Sequence, residues 1–283
     1  MEIPTIIHQS YKSEASVPEE WKQYSKALRE MNPSWQYKFW SDEDNYNLIK
    51  DHYGWFLPTY EAYKWPVQKA DACRYFYMHR YGGVYLDFDM EPIRPIVKLI
   101  KQIGDRTIRA VDSGGKRLGL ILFEEYPNAF FAQNAIFNGF IISPKSHPFW
   151  PFVHSCLPVW QEKQNKKHTS KNTHINPQLH CVLRSTGPRF LRDCYVKYKS
   201  LALDSFFFAG AVYPWFCANL PRLPSSDPEN PWVFYDRYDP KGVVDQSKTT
   251  GAWMVPHSGE TKASDFPNTY FVHQSGKSWH KDL

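Results

Sequence analysis

Tyr81-Gly82-Gly83-Val84-Tyr85-Leu86-Asp87-Phe88-Asp89 carries the most structural information in this 283-residue chain. Val84, Tyr85 and Leu86 are strand formers, so a short buried strand is expected. Gly82 and Gly83 let the chain turn sharply off whatever precedes it. Asp87 and Asp89 fall at the strand's C-terminal end, two residues apart. In extended backbone such residues point to one side, so both carboxylates face one cation. A hard divalent ion held by two carboxylates keeps positions open for water and a phosphate.

The preceding segment predicts a helix from Pro66 to Arg80. Proline suits the first helical position, no Gly or Pro follows until Gly82, and Gly82 suits the stop. Asp71 and Arg74 lie three apart and share one helix face. They read either as an ordinary surface pair, worth about 0–1 kcal/mol, or as an acid and a base placed beside the carboxylates to hold a polyhydroxylated, phosphorylated ligand.

The run Ala70-Asp71-Ala72-Cys73-Arg74-Tyr75, followed by Gly82-Gly83-Val84-Tyr85-Leu86-Asp87-Phe88-Asp89, resembles the A-D-x-x-R-Y…G-G-x-Y-x-D-x-D signature of glycosyltransferase family 32. The opening Ile3-Pro4-Thr5-Ile6-Ile7-His8-Gln9-Ser10-Tyr11-Lys12 is similar to that family's start. The resemblance is dense through about Pro95 and patchy afterwards. It implies an α/β fold of the GT-A nucleotide-sugar transferase type, a Rossmann-like mixed central sheet flanked by helices. It is read here as a single domain, 1–283. Residues 1–105 form the nucleotide-binding half, and 106–283 the acceptor half with a C-terminal tail.

The length suffices for one large α/β domain or two small ones. Aromatic residues make up 17% of the chain; flat rings stack on sugars and bases, but most such rings belong to a core. The net charge of +5 is spread along the sequence rather than gathered into a stripe, which argues against nucleic acid as a partner. It suits a phosphate-bearing donor or peripheral contact with an anionic membrane surface. Five scattered cysteines with no C-x-x-C pair speak against a zinc site or a disulfide framework. No apolar run of spanning length, no signal-peptide pattern and no usable N-glycosylation acceptor is present, so a cytoplasmic location is expected. A Golgi location is the alternative if a targeting segment has been removed, since eukaryotic members of the family are mostly anchored there.

In chain order, residues 3–9 predict a first strand and Pro18-Glu19 open a helix that Asn32-Pro33 ends. Gln36–Trp40 predicts a second strand, and Ser41 caps a helix starting at Asp42. No G-x-G-x-x-G follows the first strand and Gly114-Gly115-Lys116 lacks P-loop spacing, which disfavours a dehydrogenase or a kinase. Two strands are expected around Ser113-Gly114-Gly115. An Asn138-Gly139 turn is expected to lead into a strand over Phe140–Ile142. Residues 158–176 read as an exposed Lys-rich loop, and the proline- and aromatic-rich 214–240 as ordered loops over the acceptor cleft.

The family resemblance assigns roles to particular residues. It places His8, Gln9, Tyr85 and Asn138 at the donor. Asp71 is assigned to the sugar hydroxyls and Arg74 to the diphosphate or sugar. The family often has Asp where Gly139 stands. Thr186-Gly187-Pro188 resembles a segment that starts a helix near the site. His273-Gln274-Ser275-Gly276-Lys277-Ser278-Trp279 is similar to a C-terminal metal-binding motif. It makes His273 a metal ligand with Asp89, and Asp87 a further ligand through water or a ribose contact. Lys277 and Trp279 then fall at the donor.

The implied reaction is retaining transfer of a hexose, mannose from GDP-mannose first, to a glycan or glycolipid hydroxyl, with Mn2+ or Mg2+ as cofactor. Asp71, Arg74, Asp87 and Asp89 are its catalytic set. UDP-galactose or UDP-N-acetylglucosamine as donor, a metal-dependent hydrolase of nucleotide sugars or phosphoesters, and a non-catalytic carbohydrate-binding protein remain the alternatives.

Overall fold

The computed structural model describes residues 2–101, 120–125, 135–167, 177–201, 207–212 and 271–273. The elements begin with β1 (Ile6–Ser10), α1 (Glu19–Met31), β2 (Gln36–Trp40), α2 (Asp42–His52), α3 (Leu57–Glu61) and α4 (Pro66–Arg80). β3 (Gly83–Leu86), β4 (Met90–Pro92), α5 (96–101), β5 (Leu120–Glu125) and β6 (Ala135–Ser143) follow. α6 (Phe149–Lys167), α7 (Pro177–Ser185), α8 (Pro188–Leu201), β7 (Phe207–Val212) and β8 (Phe271–His273) complete the set.

Among the described residues, six strands make one mixed sheet in the order β2-β1-β3-β6-β5-β7. β2, β1 and β3 are mutually parallel, β6 is antiparallel to β3 and β5, and β7 is parallel to β5. Strands from both sequence halves thus share one sheet, which is the mixed α/β architecture expected of the GT-A type. The chain leaves β1 for β2 on one side and returns to β3 on the other. The C-terminal ends of β1 and β3 therefore border the point where strand order reverses, the usual place for a ligand crevice in such sheets.

Each face of the sheet has its own core. On one face Tyr85, Leu120, Leu122 and Ile141 pack against α2, α3, α4, α6 and α8. On the other, Ile7, Val84, Leu86, Phe140 and Ile142 pack against Leu28 of α1 and Ile96 and Leu99 of α5. Helix α4 is buried through most of its length, from Asp71 to Met78, as a helix enclosed by a sheet and other helices must be.

At its C-terminal end the Gly82-Gly83 pair makes the turn. Both have positive φ (65° and 92°), and a side chain on either would collide with backbone, of Lys145 at Gly82 and of Ile6 at Gly83. The Gly82 carbonyl accepts a hydrogen bond from His8 Nε2 (2.9 Å). Trp40, whose indole can only donate, donates to His8 Nδ1 (3.1 Å). That fixes His8 as the neutral Nε2–H tautomer, fully buried, and burial pushes its pKa down to about 4.

Several expectations are corrected. Strand β6 runs unbroken through Asn138 and Gly139, so these residues form no turn. The flanking Ile136, Phe137, Phe140 and Ile141 are all buried and keep the chain extended within the sheet. Helix α6 runs through Pro158 to Lys167, because Val153, Leu157 and Gln161 give it a buried stripe that outweighs the proline. The expected loop therefore fails over 158–167. The first strand begins at Ile6 rather than at residue 3. The Ser113 turn, 168–176 and 214–240 lie outside the described residues. Among the described residues no helix is long and apolar enough to cross a membrane.

Burial also pushes His147 and His154 down, to about 4 and about 3. A depressed histidine contributes stability that is present above the unfolded pKa near 6.5 and is lost as pH falls toward the folded value. For His8 alone the loss at pH 5 is about 2 kcal/mol. The urea midpoint is therefore expected to fall clearly between pH 7.5 and pH 5. An unchanged midpoint would show that these imidazoles are not neutral and enclosed.

Candidate active site

The site is built on the C-terminal ends of β1 and β3, one face of α4, and the middle of β6. Strand β3 ends at Leu86, and Asp87–Met90 forms a turn in which Met90 N donates to the Asp87 carbonyl (3.3 Å). The two aspartates are thus presented by a turn and not by extended strand. Both are half-buried, and Phe88 between them packs against Tyr11 and Phe39.

Asp87 is held on every side. Its N–H donates to the Gly139 carbonyl (2.9 Å), and its own carbonyl accepts from Gln9 Nε2 (3.4 Å). Carboxylate Oδ1 accepts from the Tyr85 hydroxyl (2.7 Å) and lies 3.4 Å from Arg74 Nη1. Arg74 also reaches Asp71 Oδ1 through Nη2 (2.8 Å), donates from Nη1 to the Asn138 backbone carbonyl (2.8 Å), and stacks over the Tyr85 ring (4.7 Å). Asn138 Nδ2 donates to Asp71 Oδ1 (3.1 Å), and Thr186 Oγ1 donates to Asp71 Oδ2 (3.3 Å). Asp71 and Arg74 are therefore a buried pair, with side chains 8% and 7% exposed, so the surface-pair reading does not hold.

Charge and burial compete here. Burial is the strongest influence on Asp71 and pushes it up to about 6. Arg74 pulls it back, Asp87 raises it further, and hydrogen bonds from Thr186 and Asn138 lower it. For Arg74, burial alone would favour the neutral form. The negative charge of Asp87 and Asp71 more than reverses this and holds the guanidinium above its ordinary value. Among the described residues, its buried Nε has no hydrogen-bond partner, an unmet donor that carries a cost.

Asp71, Arg74, Tyr85, Asp87 and Asn138 are brought together as the sequence suggested. Gln9 is buried behind them and braces the Asp87 carbonyl, with Tyr37 donating to its Oε1 (3.1 Å). His8 is corrected: both ring nitrogens are used inside the core and the ring has no exposed surface, so it holds the glycine turn instead of facing a donor. β8 pairs with β4 and lays the backbone of His273 opposite Met90, the residue after Asp89. Lys277 and Trp279 lie outside the described residues. Two contributors carried no assigned role: Thr186, and Tyr75, whose hydroxyl donates to the Thr186 carbonyl (2.6 Å) and accepts from Asn138 Nδ2 (3.4 Å). Their signals were the threonine opening Thr186-Gly187-Pro188 and the tyrosine directly after Arg74.

Two half-buried carboxylates on a turn are hard oxygen donors of the kind Mg2+ and Mn2+ take, and they leave positions for water and phosphate. The donor chemistry fits such an ion. Among the described residues no group of three or more His, Cys, Asp or Glu that could hold a metal ion is found.

An acidic turn at the switch point of a mixed sheet, backed by a buried Asp–Arg pair, is the arrangement expected of the GT-A type. Residues 18–108 match the glycosyltransferase sugar-binding region containing the DXD motif. Across this region the chain is similar to glycosyltransferase family 32.

A mannosyl phosphorylinositol ceramide synthase of Saccharomyces cerevisiae is 49% identical over 87 residues, 31% of this chain and 22% of that protein. Inositol phosphoceramide mannosyltransferase 1 of Schizosaccharomyces pombe is 36% identical over 200 residues, 69% of this chain and 52% of that one. An initiation-specific alpha-1,6-mannosyltransferase of the same yeast is 24% identical over 99% of this chain and 65% of its own. The chain thus spans about half the length, or less, of the inositol phosphoceramide relatives it matches. Among solved structures, the PaToxG glycosyltransferase aligns with a TM-score of 0.43 at 15% identity, covering 69% of this chain and 70% of that one.

Breaking a buried ion pair by removing one member costs about 3–5 kcal/mol. Arg74→Ala is expected to lower the unfolding free energy by that much in urea titrations. A loss under about 1 kcal/mol would return the pair to the surface class.

Proposed function

We propose that this protein transfers a hexose, mannose from GDP-mannose, to a hydroxyl of a glycolipid or glycan, with retention at the anomeric carbon to give an α-linkage. The observation that carries the reading is the buried Asp71–Arg74–Asn138–Asp87 network directly behind the Asp87–Asp89 turn. It is supported by the mannosyltransferase names of the relatives. Asp71 and Asn138 offer an acceptor and an amide for sugar hydroxyls, and Arg74 offers charge to the diphosphate or sugar. Asp87 faces the ribose and sugar hydroxyls, and Asp89 with Asp87 and His273 holds a divalent ion, Mn2+ or Mg2+. When bound, that ion neutralises the departing diphosphate. The sequence resemblance adds Lys277 and Trp279 to the proposed donor-binding set.

The protein is to be incubated with Mn2+ and, separately, GDP-mannose, UDP-galactose and UDP-N-acetylglucosamine, with and without inositol phosphoceramide. Mass spectrometry of the lipid is expected to show one added hexose from GDP-mannose, abolished by chelator and by Asp89→Ala. Donor breakdown that no acceptor accelerates would favour the hydrolase. Hexose addition from a UDP-sugar alone would replace the donor assignment.

The raised pKa of Asp71 gives a pH dependence. Its carboxylate is charged above about pH 6 and protonates below it, weakening the pair that holds Arg74. Donor affinity is therefore expected to be level above pH 7 and to fall about tenfold per unit once pH drops below 6. Calorimetric titration at pH 5.0, 6.0 and 7.5 reads it, and Asp71→Asn should bind weakly at all three. Equal wild-type affinity at pH 5.0 and 7.5 would remove Asp71 from donor binding.

A further inference from the structure

Glycine in the interior of a strand weakens it, and usually marks a bulge or a close approach. Gly139 marks both. Leu122 of β5 pairs with Ile141, yet the next residue, Phe123, pairs with Phe137, so Asn138, Gly139 and Phe140 bow out of register with β5. On the other side β6 stays in register with β3 from Ser143 to Phe140, and the Gly139 carbonyl then accepts from Asp87 N–H (2.9 Å). The bulge turns the Asn138 amide toward Asp71.

The backbone at Gly139 lies outside the left-handed region, so its conformation is open to any residue. Space is what excludes a side chain. A Cβ there would overlap Oδ2 of Asp87, stand 3.0 Å from its Cγ, and stand 2.6 Å from Phe137 Cζ. The Asp87 carboxylate occupies the volume that a side chain at 139 would take. Its backbone is bonded to Gly139 itself, so it cannot withdraw as a body. A methyl would force the carboxylate to rotate away from the Tyr85 hydroxyl and from Arg74.

We propose that Gly139 is a positioning residue: by lacking a side chain it forms the slot in which the Asp87 carboxylate is held against Tyr85 and Arg74, and so fixes the first acidic group that meets a nucleoside-diphosphate ligand. The ligand half of this inference rests on the function proposed above; the slot itself does not.

The test is a double-mutant cycle on the full chain: wild type, Gly139→Ala, Asp87→Ala, and both together. Each is measured for thermal unfolding without ligand and for calorimetric binding of GDP and of UDP with Mn2+. Gly139→Ala is expected to weaken nucleotide binding about tenfold or more. It should weaken it clearly less when Asp87 is already replaced by alanine, because the carboxylate it displaces is gone and only the Phe137 ring is left to give way. In the unfolding arm it should lower Tm more in the wild-type background than in the Asp87→Ala background.

Wild-type binding with an unaffected Gly139→Ala variant, or losses that multiply in the double variant, would overturn the proposal. If the wild type binds neither nucleotide, the functional reading fails. The unfolding arm then decides the slot: an equal Tm drop in both backgrounds overturns it, and a background-dependent drop upholds it.

Discussion

A guanidinium that cannot reach water must be met by negative charge and carbonyl oxygen, and Arg74 imposes that constraint on everything around it. Its partners come from three elements: Asp71 from its own helix, Asp87 from the end of β3, and the Asn138 carbonyl from β6. Shifting any of these by a residue would strand a buried charge. The relative placement of α4, β3 and β6 is therefore more tightly specified than apolar packing alone requires. Such a network is weak evidence for net stability, since apolar residues of similar volume often do as well or better. Its presence is better explained by what it positions.

Outside that centre lies a ring of neutral hydrogen-bonding groups. Gln9 and Tyr37 support the Asp87 carbonyl from the β1–β2 side, and Tyr75 ties α4 to the α7–α8 turn through the Thr186 carbonyl. Thr186 then returns a hydroxyl to Asp71. Gln68 of α4 donates to Ser185 (2.7 Å), fastening the same turn a second time. The α7–α8 turn, more than a hundred residues further along the chain, thereby sets the orientation of a carboxylate on α4.

Much of this was legible because the signals are local. Ser41 capping α2, Pro66 opening α4, Asn32 ending α1 and the aspartates following β3 are each written within a few residues of where they act. The shared face of Asp71 and Arg74 follows from helix geometry alone. What escaped is non-local. His8 looks like a ligand until Trp40 and the Gly82 carbonyl, 32 and 74 residues away, take both its nitrogens. Asn138-Gly139 carries a real signal for irregular backbone, but its strand neighbours convert a hairpin turn into a bulge. Lysines and a proline over 158–167 read as a loop, because the stripe that buries α6 becomes visible only once α8 and α4 are packed beside it.

The short pairing of β4 with β8 has a consequence for how the chain is made. β4 follows directly on the Asp87–Asp89 turn, and its partner arrives roughly 180 residues later. At the usual speed of translation that interval is on the order of 10–40 s. The parallel core of β1, β2 and β3 has all its residues early, whereas the edge beside the acidic turn waits with unpaired amides and carbonyls. Such an edge invites pairing with the wrong strand, its own or a neighbour's. Three residues is a short edge to leave open, and its brevity limits the hazard.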